Sequence, residues 1–240
     1  MSKKEEAEFE EYESLKNSKF KQQKLPGWRP VPSMARTITI FIILGIVFAG
    51  IGVLILLFSD QIVEYKESYS DKCNNITKCI FTFNITKKMK KDIFIYYEID
   101  NFYQNHRRYI KSKSEAQLKG EDISIGDMKE SGDCDPIVTN GDMGQNRAFD
   151  GSILDQSDVA IPCGLMAKNF FNDNFTKWQI NGENIDINDT YIARKSDRDK
   201  YKNINLSKQW LNMENEHFLV WMRPSPFPNF EKLWGEFLAN

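Results

Sequence analysis

The sequence lacks the short motifs of the common enzyme classes. It contains no Gly-x-Ser-x-Gly, no His-Glu-x-x-His and no phosphate-binding glycine loop, and no pair of carboxylates is set off by a hydrophobic strand. These absences argue against a serine hydrolase, a zinc protease and a nucleotide-binding enzyme. The chain also lacks an excess of positive charge, since its net charge is -2. It therefore has no basic footprint for nucleic acid, and no nucleic-acid partner is expected.

One apolar run dominates the chain. The 21 residues from Ile38 to Phe58 carry no charge, and Thr39 has their one hydroxyl. As a helix this run would span about 30 Å, the hydrocarbon thickness of a bilayer, so we predict a transmembrane helix over 38–58. A buried core helix is rarely apolar on all sides. A cleavable signal peptide is disfavoured because the run starts late and no small-x-small site precedes Asp60.

The charges on either side of the span predict its orientation. No Asp or Glu lies between Ser14 and Ser59, and the bases before the span are Lys16, Lys19, Lys21, Lys24, Arg29 and Arg36. Acidic residues follow directly after it. The positive-inside rule therefore places residues 1–37 in the cytoplasm and residues after about 60 in a lumen or outside the cell.

The cytoplasmic segment has two parts. Residues 1–17 are rich in Glu and poor in apolar residues, which predicts a flexible tail. Residues 20–33 mix bases with apolar side chains and three prolines, so they are expected to be extended. They either contact anionic lipid or dock on another protein, and the candidate anchors are Phe20, Leu25, Trp28 and Arg29. Within the span, Gly45 and Ala49 are four residues apart and form a small-residue face that would let another helix approach.

Residues 59–240 are predicted to form one mainly β domain, an antiparallel β-sandwich with short helices. Strands are predicted over 80–86, 93–99 and 216–222, and Asn181-Gly182 is a typical type I′ hairpin turn. Helices are predicted over 163–171 and in the C-terminal stripe of Phe230, Leu233, Trp234, Phe237 and Leu238. A long loop is expected over 119–158.

All four cysteines lie on the side of the span predicted to be oxidising. They are Cys73, Cys79, Cys134 and Cys163, and an even number suggests two disulfides. Three connectivities are open, and locality favours 73 with 79 and 134 with 163. A zinc site with His106 and His217 is the rival use of these cysteines, but no Cys-x-x-Cys supports it.

Five N-glycosylation sequons all follow the span, at Asn75, Asn84, Asn174, Asn188 and Asn205. The one enzyme-like signal is Asp133-Cys-Asp135, because some lumenal glycosyltransferases hold a metal on Asp-x-Asp. A chance match explains it better, since its cysteine suits a disulfide. Residues 172–174 are similarly interpreted as a turn or cap after a helix and not as a calcium site, because no loop of oxygen ligands surrounds them.

Four stretches together resemble one family. They are FKQQKLPGWRPVPS at 20–33, YYEIDNFYQNHRRYIKS at 96–112, PCGLMAKNFFNDNF at 162–175 and HFLVWMRPSPFPNFEKLWG at 217–235. They are similar to the signatures of the ligand-effect-modulator-three family, the accessory (beta) subunits of phospholipid flippases of the P-type ATPase class. The resemblance extends from about residue 20 to the last residues, and 192–201 is also similar.

The resemblance implies a non-catalytic subunit without a cofactor or metal. Its partner would be a phospholipid-translocating P-type ATPase that needs it to fold, leave the endoplasmic reticulum and transport lipid. The ectodomain would cap the transporter's outer loops, the membrane helix would pack on its membrane region, and residues 20–33 would reach its cytoplasmic loops. The complex would lie in the endoplasmic reticulum, Golgi, endosomes or plasma membrane. Asn101, Arg107 and Arg108 would serve structure and interface and not catalysis.

One feature departs from the family, which has a second span near its C-terminus. The longest apolar run after residue 60 is FLVWM at 218–222, so we expect a chain truncated before that helix, and a true one-span variant is the other possibility. Two other functional classes remain as alternatives. They are a single-span lumenal glycosyltransferase-like enzyme and a stand-alone membrane glycoprotein.

Overall fold

A computed structural model describes residues 3–27, 33–74, 76–89 and 93–237. The chain divides into two compact units, residues 1–87 and 88–240. Each unit is described separately below. The domain boundaries predicted at residues 37 and 58 are a different division, and they stay predictions.

The first unit begins with a helix where a flexible tail was expected. Helix α1 covers Lys3–Asn17 and is followed by a turn at 19–23. Glu, Lys, Ala and Leu dominate this segment, and these residues have high intrinsic helix propensity. The prediction of a flexible tail is therefore wrong for residues 3–17, since propensity favours a helix even without a core to pack on.

Helix α2, Met34–Ser59, contains the predicted span and extends it at both ends. Its N-cap is Ser33, whose hydroxyl oxygen accepts a hydrogen bond from the backbone N–H of Arg36 at 3.4 Å. No residue of α2 is buried within the chain. It is the one helix among the described residues that is long and apolar enough to cross a membrane. A fully exposed apolar helix of this length is typical of a membrane-spanning segment.

The rest of the first unit, residues 60–87, has no regular secondary structure where it is described. The strand predicted over Ile80–Thr86 is therefore wrong. Two tyrosines organise the segment instead. The ring of Tyr69 lies 5.4 Å from that of Phe81, and the Tyr65 hydroxyl accepts hydrogen bonds from the backbone N–H groups of Thr86 and Lys87 at 2.8 and 2.9 Å. The alternation of apolar side chains did not suffice because the described residues provide no neighbouring strand.

The second unit combines short helices, short strands and long connections. Its helices are α3 Arg107–Lys111, α4 Glu115–Leu118, α5 Ile125–Ser131, α6 Asn140–Met143, α7 Leu165–Lys168, α8 Lys195–Lys200 and α9 Glu216–Met222. Its strands are β1 Ile93–Ile99, β2 Trp178–Ile180, β3 Glu183–Ile185, β4 Ile187–Asn188 and β5 Phe230–Phe237. Strands account for 12% of the chain, so a mainly β domain and a sandwich are not confirmed. The expected long loop over 119–158 contains α5 and α6.

The larger sheet has the order β1-β5-β4, with β5 antiparallel to both neighbours. A register shift opposite Ile95/Tyr96 places one extra residue in β5. The predicted C-terminal helix is wrong, because its residues form β5. The burial pattern explains the error: Phe230, Lys232 and Trp234 alternate inward. A lysine on the buried face hid the strand period, so the apolar residues seemed to follow a helical stripe.

Two further predicted segments change or shorten. The strand expected over Glu216–Met222 is helix α9, whose N-cap Asn215 accepts hydrogen bonds from the backbone N–H groups of His217 and Phe218 at 2.9 and 3.3 Å. A short apolar run does not distinguish a strand from a buried helix, and here the cap decides. The helix expected over 163–171 is reduced to α7.

The hairpin prediction is confirmed. Strands β2 and β3 pair antiparallel across Asn181 and Gly182, whose φ angles are +51° and +88°. Positive φ at both central residues is the signature of a type I′ turn, which Asn-Gly adopts at low cost. The strand predicted over Ile93–Ile99 is also confirmed, as β1.

The core of the second unit lies between α9, α7 and the larger sheet. Its largest fully buried apolar side chains are Trp221, Phe218, Leu118, Met128, Met166, Met213, Leu219 and Met222. An aromatic group closes the core against β1 and β5. Tyr97 stacks on Phe171 with ring centroids 3.9 Å apart, and Phe175 meets Trp234 edge to face at 5.0 Å. Such pairs contribute beyond their buried area and fix the sheet against the loop that follows α7.

Candidate partner-binding surfaces

The predicted small-residue face of the apolar helix is open within the chain. A Cβ atom built at Gly45 meets no atom within 4 Å, and Ala49 on the same face is exposed. Such a face permits close approach of another helix. The structure brings no other segment of the first unit onto it, so the role of these two residues stays a proposal.

The predicted docking segment is partly described. Phe20 and Leu25 are exposed, at 75% and 60%. A compact turn presents Phe20, with hydrogen bonds from Gln22 N–H to the Ser18 carbonyl at 2.9 Å and from Lys24 N–H to the Lys19 carbonyl at 2.8 Å. Trp28 and Arg29 lie outside the described residues.

The cysteines form the two pairs that locality favours. Cys73 bonds to Cys79, and Cys134 bonds to Cys163, with Cα–Cα distances of 5.7 Å in both pairs. The described residues contain no free cysteine. The first bridge closes a short loop of the first unit, and the second joins distant parts of the second unit. A disulfide that closes a longer loop removes more entropy from the unfolded chain.

Polar side chains hold the ends of the buried bridge in place. The Ser112 hydroxyl donates to the Cys134 carbonyl at 3.1 Å, and the Gln117 side-chain oxygen accepts from the Cys163 N–H at 3.1 Å. Ser112 and Gln117 are themselves buried. The Gln117 amide also donates to the Ala160 carbonyl at 3.1 Å. These bonds satisfy buried backbone groups around the bridge, as a tightly packed core requires.

The residues of the weaker chemical signals are used in other ways. Cys134 of the Asp133-Cys-Asp135 triplet is in the disulfide. His217 stacks on Trp234 with ring centroids 4.0 Å apart, and burial lowers the pKa of His217. His106 is exposed at the start of α3. In the part of the chain that the structure describes, no group of three or more His, Cys, Asp or Glu side chains is placed to hold a metal ion.

Four of the five sequons lie in described residues, and Asn75 lies outside them. Asn84, Asn174 and Asn205 are exposed. Asn188 is half-buried in β4, and its amide donates to a Glu236 carboxylate oxygen at 3.0 Å. At Asn205 the side-chain oxygen accepts from the Ser207 N–H and hydroxyl at 3.0 and 2.7 Å, which orders the sequon as a turn.

The segment 101–105 is joined to the segment 225–229 by four hydrogen bonds. They are Asn101 N–H to the Asn229 side-chain oxygen at 3.0 Å, Phe102 N–H to the Pro228 carbonyl at 2.9 Å, Ser225 N–H to the Gln104 side-chain oxygen at 2.9 Å, and the Asn105 amide to the Pro226 carbonyl at 2.8 Å. Two of the four family-like stretches therefore meet in space. Asn101 has a structural role, whereas Arg107 and Arg108 are exposed on α3.

A family model described as LEM3 (ligand-effect modulator 3) family / CDC50 family matches residues 4–239 of the 240. This match covers the docking segment, the apolar helix and the whole second unit. The chain belongs to the LEM3/CDC50 family.

Relatives in this family come from plants and mammals. ALA-interacting subunit 3 of Arabidopsis thaliana is 31% identical over 92% of this chain and 66% of its own length. Cell cycle control protein 50A of Bos taurus is 30% identical over 91% of this chain and 68% of its own length. The same protein of Mus musculus gives 30% over 91% and 68%. The chain thus spans about two thirds of these LEM3/CDC50 relatives.

The sequence did not predict two charged side chains that hold this LEM3/CDC50 fold together. Glu115 on α4 forms ion pairs with Lys113 and Lys200; burial opposes ionisation, but the two lysines outweigh it and lower the Glu115 pKa to about 2. The Lys232 ammonium donates to the carbonyls of Val220 and Arg223 at the end of α9, and burial lowers its pKa to about 8. Both roles depend on contacts between distant segments, so no local pattern signals them.

Proposed function

We propose that this protein is a non-catalytic accessory (beta) subunit of a phospholipid-translocating P-type ATPase, with which it forms a heterodimer. Membership of the LEM3/CDC50 family over residues 4–239 carries the proposal. The printed name of the plant relatives, ALA-interacting subunit, also describes a subunit that acts through a partner. The partner would hydrolyse ATP and move lipid, and this chain would support its folding, its exit from the endoplasmic reticulum and its transport activity.

The proposed topology has residues 1–37 in the cytoplasm and the second unit in the lumen or outside the cell. The excess of bases before α2 supports it through the positive-inside rule. The two disulfides are consistent with an oxidising compartment for residues after 60. The exposed sequons at Asn84, Asn174 and Asn205 would then be available for glycosylation.

Three surfaces would contact the partner. The segment with Phe20, Leu25, Trp28 and Arg29 would dock on cytoplasmic loops. The Gly45/Ala49 face of α2 would pack on the partner's membrane region, and the second unit would cover its outer loops. Exposed aromatic and arginine side chains are typical interface anchors, and the exposure of Phe20 supports such a role.

The test is co-purification of the tagged full chain in mild detergent. We expect a P-type ATPase in the eluate, identified by mass spectrometry and by ATP-dependent formation of an acid-stable aspartyl phosphate. Cells lacking this chain should retain that ATPase in the endoplasmic reticulum and lose inward transport of a labelled phospholipid. A chain recovered alone, with metal-dependent sugar transfer in the eluate, would contradict the proposal.

Trp28→Ala tests the docking segment within the same assay. We expect less ATPase in the eluate, while both disulfides still form as judged by non-reducing electrophoresis. The matched control is Tyr12→Ala in α1, which removes an exposed aromatic side chain outside the docking segment and should leave recovery unchanged. Loss of disulfide formation in Trp28→Ala would assign Trp28 to folding and not to docking.

A further inference from the structure

A basic aromatic surface lies on the second unit at the joined segments 101–105 and 225–229. We use this name for its six exposed residues, which are Tyr103, His106, Arg107, Arg108, Lys111 and Phe227. Tyr103 is 56% exposed and Phe227 is 68% exposed. An exposed pair of large aromatic rings beside several cations needs an explanation, because isolated exposed apolar residues are common but such a concentration is typical of interfaces.

The surface is held rigidly. Phe102 N–H bonds to the Pro228 carbonyl at 2.9 Å and Ser225 N–H bonds to the Gln104 side chain at 2.9 Å, so the two segments run side by side and Phe227 lies across from Tyr103. Gln104 is fully buried beneath them. A surface that is already ordered loses little conformational entropy on binding.

The cations of this surface are not neutralised within the second unit. Helix α3 places Arg107, Arg108 and Lys111 on its exposed side, while Tyr109 points into the core. None of the ion pairs among the described residues involves these three cations. The 13 residues from Asn101 to Lys113 contain no Asp or Glu, and neither do residues 225–229.

Acidic side chains begin only at the borders of the surface. Asp100 precedes it, and the cavity next to Lys111 is lined by Glu115, Glu121 and Asp133 together with Lys113 and Lys119. By contrast, the other exposed arginine of this region, Arg223, is bound by Asp197 through contacts of 2.9 and 3.2 Å. The surface therefore keeps a concentrated positive charge where neighbouring cations are paired.

We propose that the basic aromatic surface binds an acidic loop on the extracytoplasmic side of the partner ATPase. This inference rests on the proposed function and names the part of the second unit that makes the contact. Arg107 and Arg108 pair with carboxylates of the loop, and Tyr103 and Phe227 pack on its apolar side chains. Guanidinium groups suit this role because their planar donors bind carboxylates in pairs.

A protein occupant fits better than a lipid surface. Anionic lipids are concentrated in the cytoplasmic leaflet, whereas the proposed topology places this surface on the other side of the membrane. The combination of Tyr, Phe and Arg also matches the composition of protein interfaces, where such residues contribute most of the binding energy. A basic surface for lipid would not need two aromatic side chains on a rigid loop pair.

The experiment compares two double charge reversals in the full chain, each tagged and co-purified from membranes in mild detergent. The test variant is Arg107→Glu with Arg108→Glu. The matched control is Arg194→Glu with Lys195→Glu, an adjacent pair of exposed bases at the start of α8 that also takes part in no ion pair of the described residues. We expect the test variant to recover about tenfold less ATPase than wild type, because like charges across an interface are strongly repulsive. The control should recover the wild-type amount.

Each result has a defined meaning. If wild type recovers no ATPase, the proposed function fails. If wild type recovers the ATPase and the two double variants recover as much, this inference fails and the proposed function stands. Both disulfides must form in the test variant, as judged by non-reducing electrophoresis. If they do not, the milder Tyr103→Ser replaces it, with an expected loss of about threefold, and an unchanged recovery would overturn the inference.

Photo-crosslinking identifies the occupant directly. The side chain of Phe227 is replaced by the crosslinker p-benzoylphenylalanine, which retains a large aromatic group at an exposed position. Irradiation of intact membranes should join this chain to the ATPase, and the crosslinked peptide should come from an extracytoplasmic loop rich in Asp or Glu. A lipid adduct without a protein adduct would show that the surface faces the membrane, and would overturn the inference.

Discussion

The indole N–H of Trp221 donates a hydrogen bond to the backbone carbonyl of Met166 at 2.7 Å. Trp221 lies on α9 and Met166 on α7, and both are buried, at 2% and 0% exposure. Helix α7 has four residues, so its carbonyls have few partners within the helix itself. The tryptophan supplies the missing donor and joins two family-like stretches that are 55 residues apart in sequence.

Trp221→Phe should destabilise the second unit by about 1–3 kcal/mol, because it leaves the buried Met166 carbonyl without its donor. The measurement is thermal unfolding of the purified full chain in detergent, followed by circular dichroism. Trp178→Phe is the control, since the Trp178 indole donates to the Phe175 carbonyl at 3.2 Å from a half-buried position. Its loss should cost less, and equal effects would contradict the role given to Trp221.

Gly164→Ala should prevent normal folding. The φ of Gly164 is +97°, and a Cβ atom there would lie 2.1 Å from the Ser112 carbonyl oxygen, so both the backbone conformation and the available space exclude a side chain. Gly151→Ala is the matched control, with a φ of +92° and no atom within 4 Å of the added Cβ. The control should lose about 1 kcal/mol through strain alone. Expression level and unfolding temperature of the two variants provide the comparison.

Cys163→Ser should destabilise the second unit by about 3–4 kcal/mol, because the bridge to Cys134 spans 29 residues. It should also retain the chain in the endoplasmic reticulum, as measured by the persistence of immature glycans. Cys79→Ser is the comparison. Its bridge spans 6 residues, so the chain-entropy cost is smaller, about 2 kcal/mol. Transit of Cys163→Ser at the wild-type rate would contradict a structural role for the longer bridge.

Glu115→Gln should lower stability at pH 7 and have less effect at pH 3. The folded Glu115 pKa of about 2 lies below the ordinary value of 4.5, so its contribution is fully present above pH 4.5 and is lost as the pH falls toward 2. The carboxylate is partly exposed, so the gain at pH 7 is at most about 1 kcal/mol. Denaturant unfolding at both pH values measures the difference. Glu121→Gln, an exposed neighbour at the same cavity, should show no such pH dependence.

Glycosylation tests the proposed topology. Deglycosylation with peptide N-glycosidase should increase the mobility of the full chain, and replacing Asn84, Asn174 and Asn205 by Gln should remove most of that shift. Lys19→Thr creates a new sequon at Asn17 in the N-terminal segment and should add no glycan, since that segment is expected in the cytoplasm. A glycan at Asn17 would reverse the orientation and remove the basis for the extracytoplasmic partner surface.

Some features of the fold follow from local sequence. The apolar run predicts a helix because no other conformation satisfies its backbone in a membrane. Asn181-Gly182 predicts its turn because both residues tolerate positive φ. The disulfide pairs follow from locality. Each of these is decided by residues close together in the chain.

Other features required the tertiary structure. The run at 216–222 is a helix because Asn215 caps it and α7 covers it, whereas its apolar pattern alone also fits a strand. Residues 230–237 form a strand because β1 and β4 pair with them on both sides. The buried Lys232 is tolerated there only because the end of α9 provides two carbonyl acceptors.

The sequence by itself determined the apolar span, the bias of charge across it, the cysteine and sequon positions and the family to which the motifs belong. The tertiary structure decided which exposed cations lack a carboxylate within the second unit, and it brought Tyr103 and Phe227 to one surface from segments more than a hundred residues apart. The physical reason is that propensity, capping and membrane partition depend on near neighbours in the chain. Burial, pairing and surface charge depend on which distant segments the fold brings together.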